Sequence, residues 1–315
     1  MSNRLLYLVT VLVWGSTWIA IEYQLGTVAP EVSVFYRYLL AAALLFAWCR
    51  VRGLKLRFGV RAHASFILLG TLLFSVNYIL AYNAQHYITS ALSALAFSTM
   101  VWMNIINARV IFGTRVGWRV IAGSSLGVAG IALLFLPQIG DFSLTDATFY
   151  GASLAVLGAF LASLGNMVSQ SAQNDRLPVV QTNAWAMFYG ALLTAAIACW
   201  QGREFSFDLT PGYVISLAYL TLFGSIIAFG SYLTLLGRIG AHKAGYAMVM
   251  FPLVALVISV LFEDLQLSQS ILAGVVLVLA GNVLILRGAK PGGRSVRSQP
   301  DTEQPLRLAA ERLRC

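Results

Sequence analysis

The chain has 315 residues, of which 59% are hydrophobic and only 10% charged, and its mean hydropathy is +0.78. A soluble globular domain carries about 25% charged residues, so this composition argues against one and points to lipid as the solvent. The net charge of +9 at first suggests nucleic acid, but its placement along the chain gives a different account.

Taken in order, apolar segments separated by polar breaks fall at 5–22, 32–49, 64–84, 88–108, 118–136, 148–170, 180–200, 212–236, 241–262 and 268–287. Many approach the length needed to cross hydrocarbon, about 20 residues. Lipid leaves no backbone polar group a solvent partner, so only helices and closed barrels span it. Barrel strands are about ten residues long with strict alternation, so these segments predict ten membrane helices in an all-α membrane protein. The first follows Arg4 and superficially resembles a signal peptide. Its apolar run is too long for a signal core and no small-x-small cleavage site follows, so a retained helix is expected.

Charge alternates between the connections. Arg50, Arg52, Lys55, Arg57 and Arg61 follow segment 2; Arg109, Arg115 and Arg119 follow segment 4; Arg238, His242 and Lys243 follow segment 8. Of the 21 Lys and Arg, all except Arg37 and Arg203 fall on one side. The other connections hold Glu22, Glu31, Asp141, Asp146, Glu204, Asp208, Glu263 and Asp264. The positive-inside bias then places both termini in the cytoplasm. The basic charge acts as an orientation signal, and no nucleic-acid partner is implied.

An internal repeat is also legible. One constant offset lays segments 3–5 on segments 8–10 without a gap, putting Gly123 on Gly274, Gly130 on Gly281 and Ile88 on Ile239. Equivalent loops have opposite charge character. A five-helix unit ends on the face opposite its start, so its second copy enters the membrane inverted, a plan common among secondary transporters. The expected organisation is a first five-helix repeat over 1–137, a second over 148–287, and a disordered cytoplasmic tail over 288–315. The tail is rich in Gly, Pro, Ser and Arg.

Several polar or aromatic groups fall at mid-membrane depth. Segment 1 carries Trp14, Ser16 and Thr17. Segment 3 carries Ser75, Asn77, Tyr78, Tyr82 and Asn83, with Ser75, Tyr78 and Tyr82 on one helical face. Segment 4 has Ser98 and Trp102 four apart, then Asn104 and Asn107. Segment 6 has Ser163, Asn166 and Gln170; segment 8 has Ser231 and Tyr232; segment 9 has Tyr246 and Met250. A buried amide needs a partner, and an aqueous cavity supplies one while aromatic rings hold an apolar solute. The set Trp14, Ser16, Thr17, Asn77, Tyr78, Tyr82, Ser98, Trp102, Asn166, Tyr232, Tyr246 and Met250 is therefore the candidate solute site. Ordinary interhelical hydrogen bonding and interfacial anchoring are the competing accounts. Arg37, inside segment 2, is a candidate to pair with Glu22 near the outer surface, to gate, or to bind a substrate carboxylate. Pro252 predicts a kink in segment 9.

Other motifs carry no chemistry. Gly123-Ser-Ser-Leu-Gly127 matches the nucleophile-elbow pattern, which needs a strand-to-helix turn; inside an apolar helix it reads as close helix packing. Cys49, Cys199 and Cys315 follow no metal-ligand spacing. His63, His86 and His242 lie near loops, and there is no Walker A or HExxH motif. Neither a metal nor a cofactor is expected. A membrane-embedded enzyme would need a nucleophile–base pair or metal ligands, and a channel would need charge rings or a carbonyl filter; these are the alternatives to a carrier.

The stretches LVWGSTWIAIEYQL and APEVSVFYRYLLAA, with YLTLFGSIIAFGSYLTLLGRIGAHKAGYAMVMFPLVALVISVLFEDLQLSQSILAGVVLVLAGNVLIL in the second half, resemble the EamA family of the drug/metabolite transporter superfamily. The resemblance covers about 5–287. It implies ten-helix inner-membrane carriers of two inverted repeats that move amino acids, related metabolites, sugars or drugs, often outward. The partners it implies are a small solute and the bilayer, in a monomer or homodimer. The sequence departs from the family where an acidic residue often precedes the segment 9 proline: here that position is Phe251. The Gly-Glu usually ending that segment reads Glu263–Asp264, and the first half has Val101 in the proline position. Any coupling scheme resting on those carboxylates is not carried over. Proton exchange through Glu22 or Glu263, or downhill export, are the remaining options.

Overall fold

A computed structural model describes residues 1–88, 93, 96–134, 146–262 and 268–288. The tail, together with Asp141, Glu263 and Asp264, lies outside the described residues. Among those described, all regular structure is helical.

In chain order the helices are α1 (Asn3–Glu22), α2 (Pro30–Val51), α3 (Val60–Phe74), α4 (Val76–Ala84), α5 (Met100–Phe112), α6 (Trp118–Leu134) and α7 (Asp146–Asn174). Then come α8 (Val179–Trp200), α9 (Pro211–Tyr219), a π-helical stretch (Leu220–Ile227), α10 (Ala228–Ile239), α11 (Ala241–Ala244), α12 (Ala247–Phe262) and α13 (Gln269–Gly288). Local chemistry sets several starts. The Ser2 side chain accepts from the Leu5 N–H at α1, and prolines open α2 and α9, where the missing N–H has no helical partner to lose.

Five spans are long and apolar enough to cross a membrane: Pro30–Val51, Val60–Ala84, Ala147–Asn174, Val179–Trp200 and Pro211–Ile239. Ala96–Phe112, Trp118–Leu133 and Gln269–Ile285 are shorter apolar helices. Outward-facing side chains are apolar too, Leu8, Leu12, Ile106, Ile215 and Val276 among them. A water-facing helix would carry polar residues at such positions.

Two irregularities shape the interior. The Val60–Ala84 span breaks at Ser75, whose backbone leaves the helical region at φ −135° and ψ −87°. There the Ser75 hydroxyl lies 2.7 Å from that of Thr194 on α8. Beyond the break, Asn77, Tyr78, Ala81 and Tyr82 of α4 line one cavity. In the Pro211–Ile239 span, the π-helical stretch loosens the hydrogen-bond ladder, and the Ser225 hydroxyl donates to the Leu220 carbonyl five residues back at 3.0 Å.

α6 and α13 pack closely. A Cβ added at Gly281 would lie 2.5 Å from the Gly123 carbonyl oxygen and 3.0 Å from the Gly127 nitrogen; one added at Gly130 would lie 2.7 Å from the Gly274 carbonyl oxygen and 2.8 Å from the Val278 nitrogen. Position rises along one helix as it falls along the other, so the two run antiparallel. Only glycine permits backbones this close.

Candidate functional site

The Val60–Ala84 and Pro211–Ile239 spans both line a central cavity of about 90 Å³. Its wall draws on α1, α2, α4 and α5 from the first part of the chain and on α7, α10 and α12 from the second. Trp14, Thr17, Asn77, Tyr78, Tyr82, Asn166 and Tyr232, candidates from the sequence, line it together with Arg37; Phe97, Met100, Phe229, Met248 and Phe251 complete an apolar wall.

Trp14 is held from two sides. Its Nε1 donates to the Gly224 carbonyl at 3.2 Å, an acceptor within the π-helical stretch. Its ring packs against Phe229 and Tyr232, each with centroids 4.9 Å away. The edge and tilted geometries are those that aromatic quadrupoles favour.

Among the described residues, Arg37 is the only charged one in the wall, and it is just 2% exposed. Its Nε donates to the Ser225 hydroxyl at 2.8 Å. The guanidinium lies 5.0 Å from the Tyr78 ring centroid and 5.3 Å from that of Tyr38, distances at which a cation is drawn to a ring face. Tyr82 also lines the wall with it. Nη1 nevertheless has no hydrogen-bond partner among the described residues. Gly224 makes this placement possible: a Cβ there would lie 3.1 Å from both Arg37 Nη2 and Thr17 Cγ2.

On the opposite wall, Asn166 donates to Asn104 Oδ1 at 3.2 Å, tying α7 to α5. Asn77 Oδ1, like Arg37 Nη1, is buried without a hydrogen-bond partner among the described residues.

The remaining sequence candidates lie elsewhere. Ser16 is 2.6 Å from the Tyr219 hydroxyl, in a shallow outer groove of about 480 Å³ between α1 and α9. That groove is larger than the central cavity but broadly open. Ser98 is buried and absent from the cavity wall. Trp102, Tyr246 and Met250 belong to the cluster around Val249 and Val278; the Tyr246 hydroxyl donates to the Val278 carbonyl at 3.2 Å. Pro252 is buried within α12 and is outside the wall, although its neighbour Phe251 is in it. Ser163 accepts from Asn107 at 2.9 Å, and Gln170 accepts from the Ala241 N–H at 2.8 Å.

The Glu22–Arg37 pair is not formed. Glu22 is exposed at the end of α1, and the salt bridge among the described residues joins Glu31 to Arg203 at 3.6 Å. Glu31 looks like a loop acid in the sequence but is 1% exposed, with Asn83 donating to it at 3.4 Å. With Tyr87, Tyr150 and Gln201 it lines a second, polar pocket.

Several wall residues were not site candidates in the sequence: Phe97, Met100, Phe229, Met248 and Phe251 are apolar residues on apolar helices, and Gln85 is a polar one at the end of α4. Their three-residue spacings, Phe97 to Met100 and Met248 to Phe251, mark a helical face. Nothing in the sequence distinguishes that face from one turned to lipid.

Among the described residues, no cluster of three His, Cys, Asp or Glu could hold a metal. Among the described residues, the wall contains no nucleophile beside a base. What it provides is a partly open, mainly apolar surface rich in aromatic rings, with one cation and a few amides, chemistry suited to holding a solute.

The model of the EamA-like transporter family matches residues 2–136 and 149–287. A probable amino-acid metabolite efflux pump of Escherichia coli (strain K12) is 24% identical over 303 residues, covering 92% of this chain and 97% of that protein. The inner membrane transporter YedA of Escherichia coli (strain K12) is 26% identical over 289 residues, covering 89% and 90%. A solved crystal structure superposes with a TM-score of 0.76 at 18% identity, over 91% of this chain and 97% of its own, a likeness of fold. With the apolar spans and matches over nearly the whole chain, this is a multi-pass membrane protein, and it belongs to the EamA-like transporter family.

Proposed function

We propose that the chain is a secondary carrier that binds a small organic solute in the central cavity and exports it by alternating access. It spans the membrane ten times as two inverted five-helix repeats, with both termini in the cytoplasm. The observation that carries this reading is the cavity itself, walled by both parts of the chain and holding polar groups unmatched by protein. A site at the interface of two repeats opens to either face when one repeat rocks against the other.

The inverted arrangement draws support from the α6–α13 seam. The offset that pairs Gly123 with Gly274 and Gly130 with Gly281 also pairs Gly127 with Val278. Gly281 approaches Gly123 and Gly127, and Gly130 approaches Gly274 and Val278. Each contact is thus the other's image under the repeat, as a two-fold axis across antiparallel helices requires. The one-sided distribution of Lys and Arg supports the cytoplasmic termini. Export of amino acids or related metabolites is supported by the name of the Escherichia coli efflux pump.

The test is flux from proteoliposomes loaded with a panel of labelled amino acids and metabolites. Wild type is expected to give saturable, selective efflux. Trp14→Ala is expected to abolish it, and Trp102→Ala, outside the cavity, to retain it. Unselective flux that rises linearly with concentration would indicate a channel and overturn the carrier.

A further inference from the structure

We infer that Arg37 is a specificity-determining residue that selects solutes carrying a carboxylate, and that the preferred solute is a net monoanion with an apolar body. This rests on the reading of the cavity as the solute site. A guanidinium in a membrane interior is tolerated when paired or solvated. Arg37 is 2% exposed, and among the described residues no acid lies within salt-bridge distance of it. Its nearest acid in sequence, Glu31, pairs with Arg203 instead. Ser225 and the tyrosines fix the plane of the guanidinium through neutral contacts, leaving its charge uncompensated. Nη1 is buried without a hydrogen-bond partner in a group that faces the cavity.

A carboxylate is the planar acceptor that a guanidinium fork matches best. It would supply both the missing hydrogen bond and the missing charge. Among the described residues no acidic one joins the wall, so no carboxylate of theirs waits there for an ammonium group. A zwitterion would therefore leave the cavity with its full positive charge, whereas a monoanion neutralises it. The apolar body would lie against Trp14, Tyr78, Phe229 and Phe251.

Binding to the purified full-length protein, read by tryptophan fluorescence or thermal shift, tests this with 3-phenylpropanoate, its neutral primary amide, and phenylalanine. A charge-assisted hydrogen bond implies that wild type prefers the carboxylate over the amide about 10- to 100-fold, with phenylalanine weaker than 3-phenylpropanoate. Arg37→Gln is expected to bring the carboxylate-to-amide ratio to about one. Arg37→Lys should keep part of it, because a point charge lacks the fork. If Arg37→Gln does not fold, Ser225→Ala, which frees the guanidinium from its anchor, is expected to lower the ratio in its place. A wild-type ratio near one, a ratio unchanged in Arg37→Gln, or no binding of any probe by folded wild type would overturn the inference. Selective efflux of neutral solutes alongside a ratio near one would sink the role of Arg37 while leaving the carrier standing. Linear, unselective flux would sink the carrier.

Discussion

The seam between α6 and α13 offers a quantitative test of the close approach on which the repeat rests. Gly281→Ala adds a methyl group 2.5 Å from the Gly123 carbonyl oxygen and 2.6 Å from the Tyr246 hydroxyl. Ordinary carbon–oxygen contacts are about 3.3 Å or longer, so the helices must part by roughly 0.8 Å. Overpacking of this kind costs about 1–3 kcal/mol. Alanine's better helix propensity returns up to about 1 kcal/mol, leaving a net loss of about 1 kcal/mol. Gly130→Ala, the image of Gly281→Ala under the repeat, meets backbone atoms at 2.7 and 2.8 Å and should cost about as much. Gly230→Ala is the control: nothing lies within 4 Å of its Cβ, so it should be neutral or stabilising. Thermal unfolding of the purified protein in one detergent measures all three. A drop of about 2–4 °C per kcal/mol is expected for the two seam variants and none for the control. If Gly281→Ala and Gly130→Ala melt at or above wild type, the glycines do not mark a close seam and the argument from it fails.

Three further outcomes are expected. In a background with all cysteines replaced, Lys55→Cys and Glu204→Cys should react with a membrane-impermeant maleimide from opposite faces in sealed cells, Glu204→Cys from outside; labelling of both from one face would refute the orientation read from the basic loops. Arg203→Ala leaves the buried Glu31 carboxylate without its ion-pair partner. Because Arg203 is 46% exposed, the loss should be only about 1 kcal/mol, and adding Glu31→Gln should restore the melting temperature; a double variant less stable than Arg203→Ala would show the pair is not the cause. Asn104→Ala removes the acceptor for Asn166 and should destabilise the protein by about 1–3 kcal/mol, visible as a lower melting temperature; no change would mean that the cavity solvates Asn166 unaided.

The helices were legible because lipid restricts the options. A long apolar run that must satisfy its own backbone becomes a helix whatever its neighbours do, and among the described residues all regular structure is helical, with five spans long and apolar enough to cross a membrane. Family membership was legible for a related reason: the Trp-Gly-Ser opening and the pattern around Arg238–Gly240 and Pro252 are local strings. Trp14, Asn77, Tyr78, Tyr82, Asn166 and Tyr232 stood out as polar or aromatic residues within those runs, and the fold gathers them in one wall.

What the sequence left open was rotation and partnership. In a water-soluble helix the polar face announces which side is buried. In these helices the lipid-facing and core-facing residues are equally apolar, so the choice between Tyr246 with Met250 and Met248 with Phe251 had no sequence signal. Tertiary packing settled it by placing the former against α6 and α13 and the latter on the cavity. The Ser75 break and the π-helical stretch depend on contacts with Thr194 and Arg37 that are distant in the chain. The charges were decided the same way. A shared position near the outer surface suggested Glu22 for Arg37, but Coulomb attraction acts over space, and folding gave Glu31 to Arg203 and left Arg37 facing the cavity without an acid among the described residues. Composition alone thus determined the solvent and the secondary structure, because both depend on short-range rules. The site depended on which helix faces met, and only the tertiary structure decided that.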